Sequence, residues 1–213
     1  MKLSGVVYRE VLDSLIKKHS TFSANGIAKQ LKISPNTVNI AIKELDNIGA
    51  AHIYRRYFEI TNFNKVLMYW AAKRNLNADI AYATFIGKGK EYLEQRIPDE
   101  IAFTAYSGYV NLFGNDVSDY GEVYVYATDL GLEEIKRRFP KKSLSSSSKY
   151  SDLIVLKPDK ILLNLIENKK LSHSSVSMTQ ICVDLWNIKE WYAERFFTKT
   201  YDRIKSIIKD QKK

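Results

Sequence analysis

The segment Pro35-Asn36-Thr37-Val38-Asn39-Ile40-Ala41-Ile42-Lys43-Glu44-Leu45-Asp46-Asn47 limits what this chain can fold into more than any other stretch. Val38, Ala41, Ile42 and Leu45 recur at i, i+3, i+4 and i+7, a spacing that commits one face of a helix to a core. Ser34 is placed to cap this helix. Pro35 takes its first position, where a missing N–H costs nothing, and Gly49 ends it. Upstream, Ser23 to Lys32 reads as a shorter helix ending near Leu31, with Ile33 and Ser34 as the turn between the two. Downstream, Ala50–Tyr54 and Tyr57–Thr61 are rich in aromatic and β-branched residues and enclose Arg55-Arg56, which predicts a β-hairpin with two arginines at its tip. Residues 22–61 therefore carry the pattern of a winged helix-turn-helix.

The face of the second helix opposite its apolar stripe carries Asn36, Asn39 and Lys43. Amides and a lysine on an exposed helix are groups that can read base edges in a major groove. Ser34, Thr37, Arg55 and Arg56 are the matching candidates for phosphate contacts, because hydroxyls and guanidinium groups bind phosphate oxygens. Charge falls at the same end of the chain. The sequence has 33 Lys and Arg against 24 Asp and Glu, a net +9. Residues 1–75 hold 12 basic and 5 acidic side chains, and residues 76–213 hold 21 and 19, so the excess lies in the first third. A basic segment attracts polyanions and releases their counterions on binding. Double-stranded DNA is the expected partner.

Composition bounds the alternatives. With 45% hydrophobic residues and 14 tyrosines the chain is not generally disordered. A single cysteine, Cys182 in Gln180-Ile181-Cys182-Val183, can form neither an intrachain disulfide nor a cysteine-based zinc site, and it reads as a buried thiol. His19, His52 and His173 stand far apart, so neither a metal nor any other cofactor is expected. Met1–Gly5 opens no long apolar run, and no window reaches the ~20 apolar residues of a membrane span. A cytoplasmic protein without membrane contact is the expectation. Gly87-Lys88-Gly89-Lys90 lacks the full phosphate-loop pattern and reads as a basic turn.

The rest of the chain predicts an α+β fold. Residues 4–19 form a helix with Val7, Val11, Leu12, Leu15 and Ile16 on one face, and the winged helix-turn-helix domain spans 1–62. Residues 63–78 contain a linker helix. From 79 to 213 strands and helices alternate in a mixed α/β domain. Its strands are expected at 80–86, 101–105, 122–128 and 151–156, its helices at 88–96, 107–113, 132–139 and 158–168, and two C-terminal helices at 177–187 and 189–209. A serine-rich exposed loop covers 141–149. In the strand at 122–128, Val123 and Val125 face one side and Tyr124 and Tyr126 the other. In the last helix Ala193, Phe196, Phe197, Tyr201, Ile204 and Ile208 form one stripe, read as core packing or as a homodimer face.

The run Val176-Ser177-Met178-Thr179-Gln180-Ile181-Cys182-Val183-Asp184-Leu185-Trp186 resembles the "V-S-x-x-Q-x-x-x-D-L" segment of AbiEi-like antitoxins of type IV abortive-infection toxin–antitoxin systems. Ala105-Tyr106-Ser107-Gly108-Tyr109 and Ser151-Asp152-Leu153-Ile154-Val155 match the layout of the same family. The resemblance implies an N-terminal winged helix that binds operator DNA and represses its own operon. It also implies a nucleotidyltransferase-like C-terminal domain needed for antitoxin action, and a separate nucleotidyltransferase as the cognate toxin.

An alternative follows from it, a nucleotidyltransferase that uses the winged helix to recruit a nucleic-acid substrate. Such an enzyme needs a Gly-Ser turn and three carboxylates holding Mg²⁺. Here Ser107-Gly108 would be the turn, Glu122 the first acid and Asp152 the third, but Tyr124 stands in the second position, and a phenol neutral near pH 7 does not replace a carboxylate. No catalytic residue, and no enzyme, is therefore expected.

Overall fold

The computed structural model describes residues 2–114, 117–141, 151–171 and 174–210. The chain is a mixed α and β protein with two small sheets. Its first part comprises α1 (Leu3–Ile16), β1 (Thr21–Phe22), α2 (Ala24–Leu31), α3 (Pro35–Asn47), β2 (Ala51–Ile53), β3 (Phe58–Ile60) and α4 (Phe63–Lys73). The three strands form an antiparallel sheet in the order β1-β3-β2. Ser23 caps α2 by accepting from Gly26 N, and Lys32 closes that helix in the left-handed conformation. Ser34 caps α3, Pro35 sits in its first turn, and Val38, Ala41, Ile42 and Leu45 are buried, as their spacing requires. β1, only two residues long, carried no periodic signal in the sequence.

The second part holds a four-stranded sheet in the order β4-β7-β6-β5, built from β4 (Ile80–Thr84), β5 (Ile101–Thr104), β6 (Val123–Ala127) and β7 (Leu153–Leu156). The central pair β6 and β7 is parallel and both outer pairs are antiparallel. Both faces of this sheet are covered. Val123, Val125, Leu153 and Val155 point toward α5 (Lys90–Glu94) and α7 (Asp129–Arg138), where Leu93 and Ile135 complete the layer. Tyr126, Ile154 and Leu156 point the other way, toward α6 (Ala105–Phe113), α8 (Lys160–Glu167), α9 (Met178–Trp186) and α10 (Trp191–Asp210). Alternation along β6 thus separates valines from tyrosines between two apolar layers. The α10 stripe lies inside the chain, with Ala193, Phe196 and Ile204 buried and Phe197, Tyr201 and Ile208 partly so. The serine-rich loop expected at 141–149, beyond Lys141, and His173 lie outside the described residues. Among the described residues no helix is long and apolar enough to cross a membrane.

The two parts share an interior. The apolar cluster around Val7, Leu12, Leu45 and Trp70 continues into Cys182 and Val183 of α9 and Ile204 of α10. The segment expected as a linker helix folds as α4 and buries Val66, Leu67, Trp70 and Ala71, packing on both α1 and α9. A buried polar network runs through the same joint. Arg9 of α1 donates to the Asp159 carboxylate at 2.8 and 2.9 Å and to Gln180 Oε1 at 3.1 Å. Gln180 donates in turn to Asp184 Oδ1 and to the Tyr126 hydroxyl. Asp184, fully buried, also accepts from Arg74 Nε, Thr104 Oγ1 and Tyr126 Oη. Buried ions need partners of this kind, because desolvation of an unpaired charge is costly. Burial opposes ionisation of Asp159, but the Arg9 charge and hydrogen bonds outweigh it and hold its carboxyl below the usual range.

Candidate nucleic-acid interface

The hairpin after α3 is tight. Ile53 pairs with Phe58, and Tyr54 N donates to Tyr57 O at 2.8 Å, which leaves Arg55 and Arg56 alone at the tip, both exposed. Tyr54 and Tyr57 flank them with rings stacked 4.5 Å apart, and His52 meets Tyr54 edge-on at 4.5 Å. Facing rings at the base of so short a turn stiffen it, since a cross-strand aromatic pair adds stabilisation beyond its buried area.

Between this hairpin, α3 and the start of α2 lies a cleft of about 770 Å³. Its walls include Asn39 and Lys43 from α3, Arg55 and Arg56 from the hairpin, and Ser23 and Asn25 from the start of α2. Four of the seven sequence-derived candidates are thus brought to one concavity. Asp46 on α3 also lines it and is its acidic member. The other three, Ser34, Asn36 and Thr37, sit at the start of α3. Asn36 is exposed and Thr37 half-buried. Ser34 Oγ accepts from Thr37 N at 3.1 Å and shares one O–H···O bond with Thr37 Oγ1 at 2.8 Å. That bond uses one of the two hydroxyl protons and leaves the other to donate outward.

Glu44, on the flank of α3, accepts from Tyr8 Oη and from Lys73 Nζ. The hydrogen bond from Lys73, then that from Tyr8, holds its carboxyl below the usual range. Lys73 thereby offsets an acid beside the open face of the helix. Ser23 and Asn25 were not among the sequence-derived candidates and reach the cleft because α2 begins there, while Ile40, exposed on α3, stands outside the cleft lining. Ser23 and Asn25 were legible as the opening of a capped helix, but nothing local says which surface that opening meets.

The residues weighed for nucleotidyl transfer are engaged elsewhere. Ser107-Gly108 lies inside α6 rather than in a turn. Ser107 Oγ is buried with no hydrogen-bond partner among the described residues. A Cβ on Gly108 would stand 3.1 Å from both Phe103 O and Ile181 Cδ1, so this glycine serves close packing of α6 on β5 and α9. Glu122 accepts from Tyr192 Oη. The Asp152 carboxylate accepts from Ile86 N and Gly87 N at 2.8 and 2.7 Å and so fixes the turn after β4. Lys88 in that turn and Lys90 at the start of α5 lie over the rings of Tyr92 and Tyr120. Among the described residues no cluster of three or more His, Cys, Asp or Glu could hold a metal ion. Burial pushes the Cys182 thiol well above its ordinary range, as befits an inert interior cysteine. Comparison with protein-family models, curated proteins and solved structures returns no match.

Proposed function

We propose that the chain is a DNA-binding transcriptional regulator, with residues 1–62 acting as a winged helix-turn-helix and residues 79–213 as a nucleotidyltransferase-like domain. In this reading α3 enters the major groove, and Asn36, Asn39 and Lys43 address base edges. Ser34 and Thr37 meet the backbone at the helix start, and the Arg55-Arg56 tip meets it on the far side. The observation that carries the reading is the cleft in which Asn39, Lys43, Arg55 and Arg56 converge from two elements. The resemblance of Val176–Trp186 to AbiEi-like antitoxins supports the more specific role of an antitoxin that represses its own operon, in the cytoplasm and as a homodimer on paired half-sites. Its cognate toxin would be a nucleotidyltransferase.

Titrating the full chain against a labelled duplex from upstream of its own coding sequence, and against an unrelated duplex, tests this at several salt concentrations. Binding to both at low salt, with the upstream duplex alone retained as salt rises, is the expected result. Failure to retard any duplex at low salt overturns the reading.

A further inference from the structure

The middle of the open face of α3 is apolar. Ile40 is 56% exposed. The core of α3 is complete without it, since Val38, Ala41, Ile42 and Leu45 are all buried on the opposite side. At about 100° per residue, Asn36, Ile40, Lys43 and Asn47 fall within about 60° of one another around the helix axis. A branched isoleucine has a stiff side-chain torsion in a helix, so its methyl groups are presented in one arrangement. An apolar group at the centre of a face otherwise made of amides and a lysine calls for an apolar counterpart within a polar surface.

We propose that Ile40 determines sequence specificity by packing against the C5-methyl group of a thymine in the major groove, so that the DNA preferred by this chain places a thymine beside the bases addressed by Asn36 and Lys43. The inference rests on the DNA-binding reading above and adds a base identity to it. The thymine methyl is the apolar group that base edges offer in the major groove, while adenine, guanine and cytosine present donors and acceptors there. Asn36 and Asn39 suit the adenine edge, which pairs an acceptor with a donor, and Lys43 suits guanine.

The test uses the full chain and a library of random duplexes from which the bound fraction is recovered and sequenced. Each thymine of the preferred duplex is then replaced singly by deoxyuridine, which pairs identically but lacks the methyl group. Loss of one buried methyl corresponds to about fourfold in affinity. Wild type is expected to lose about that factor at one thymine position and little at the others. Ile40→Ala is expected to bind the thymine duplex more weakly and to show no difference between thymine and deoxyuridine at that position. Because the side chain lies largely in water, Ile40→Ala should melt within a few degrees of wild type, which separates recognition from folding. Equal affinity of wild type for every thymine and deoxyuridine pair overturns the proposal, as does a discrimination that survives in Ile40→Ala. Recovery of no duplex at all overturns the DNA-binding reading together with this inference, whereas recovery without a methyl effect overturns the inference alone.

Discussion

Arg9 and Asp159, 150 residues apart in the chain, form a two-pronged ion pair whose oxygens and nitrogens meet at 2.8 and 2.9 Å, with both side chains nearly closed off from water. The same Asp159 oxygen that faces Arg9 at 2.9 Å also accepts from Ile161 N and Leu162 N, so one carboxylate starts α8 and ties it to α1. Arg9→Met should lower stability by about 3 kcal/mol, because it leaves a buried carboxylate without its counter-ion. Asp159→Asn keeps a capping oxygen but strands the guanidinium, and it should cost a similar amount. The double variant should lose clearly less than the two losses added, since neither charge then remains. Urea unfolding of all four proteins measures this, and strictly additive losses would show that the pair is not coupled.

Asp13 gives the protein a pH dependence. It is half-buried on α1 beside Arg9 and accepts from Thr179 Oγ1. Burial raises its carboxyl from an ordinary 3.8 to about 6, against the lowering effect of Thr179 and Arg9. Between those values the folded chain binds a proton that the unfolded chain has released, so stability falls as pH rises from about 4 to 6 and stays lower above it. The loss is of the order of 2–3 kcal/mol by the usual conversion. Asp13→Asn, which still offers an oxygen to Thr179, should abolish that decline and leave the variant relatively more stable at pH 7 than at pH 4. Melting temperatures of both proteins across this range decide it, and parallel curves would refute the assignment to Asp13.

The hairpin tip should act on every duplex alike. Replacing both Arg55 and Arg56 by alanine should weaken binding to specific and unrelated DNA together and reduce the slope of log affinity against log salt by about 2. Lys43→Ala should instead cost the preferred duplex about 1–3 kcal/mol and relax its advantage over others. Salt titrations by fluorescence anisotropy separate the two effects. Identical titration curves for wild type and the double arginine variant would remove the tip from the interface.

Gly131 is sterically locked. A Cβ there would fall 2.4 Å from the backbone oxygen of Glu100, the same oxygen that accepts from Thr128 N at 3.2 Å. Gly131→Ala should therefore push α7 away from the backbone that leads into β5 and cost about 1–3 kcal/mol, even though alanine is the better helix former. Thermal melting reads the cost, and a variant as stable as wild type would contradict the contact.

The parts legible in the sequence were those with local grammar. Val38, Ala41, Ile42 and Leu45 announce a helix by spacing, Ser34-Pro35 announces its start, and the alternation of Val123, Tyr124, Val125 and Tyr126 announces a strand covered on both faces. Asn39, Lys43, Arg55 and Arg56 could be picked as a group because hairpin and helix are neighbours in the chain. The buried network could not be picked. Arg9, Arg74, Gln180 and Asp184 are residue types that usually stay in water, and the bonds that join Arg9 to Gln180 and Arg74 to Asp184 span 171 and 110 positions. Ile40 escaped for the opposite reason: isoleucine in a helix suggests interior, and only its angle about the axis, set against the four core positions, shows that it faces out.

Cys182, Val183 and Ile204 wall the far side of the interior that supports α3 through α1 and α4. α3 is thus cast in one piece with the C-terminal half and does not hang from a tether. Were two copies joined through their C-terminal halves, their α3 helices would stand at one fixed separation, like the pins of a plug. Base pairs inserted between paired half-sites would then have to be absorbed by distorting the duplex, because the protein offers no slack.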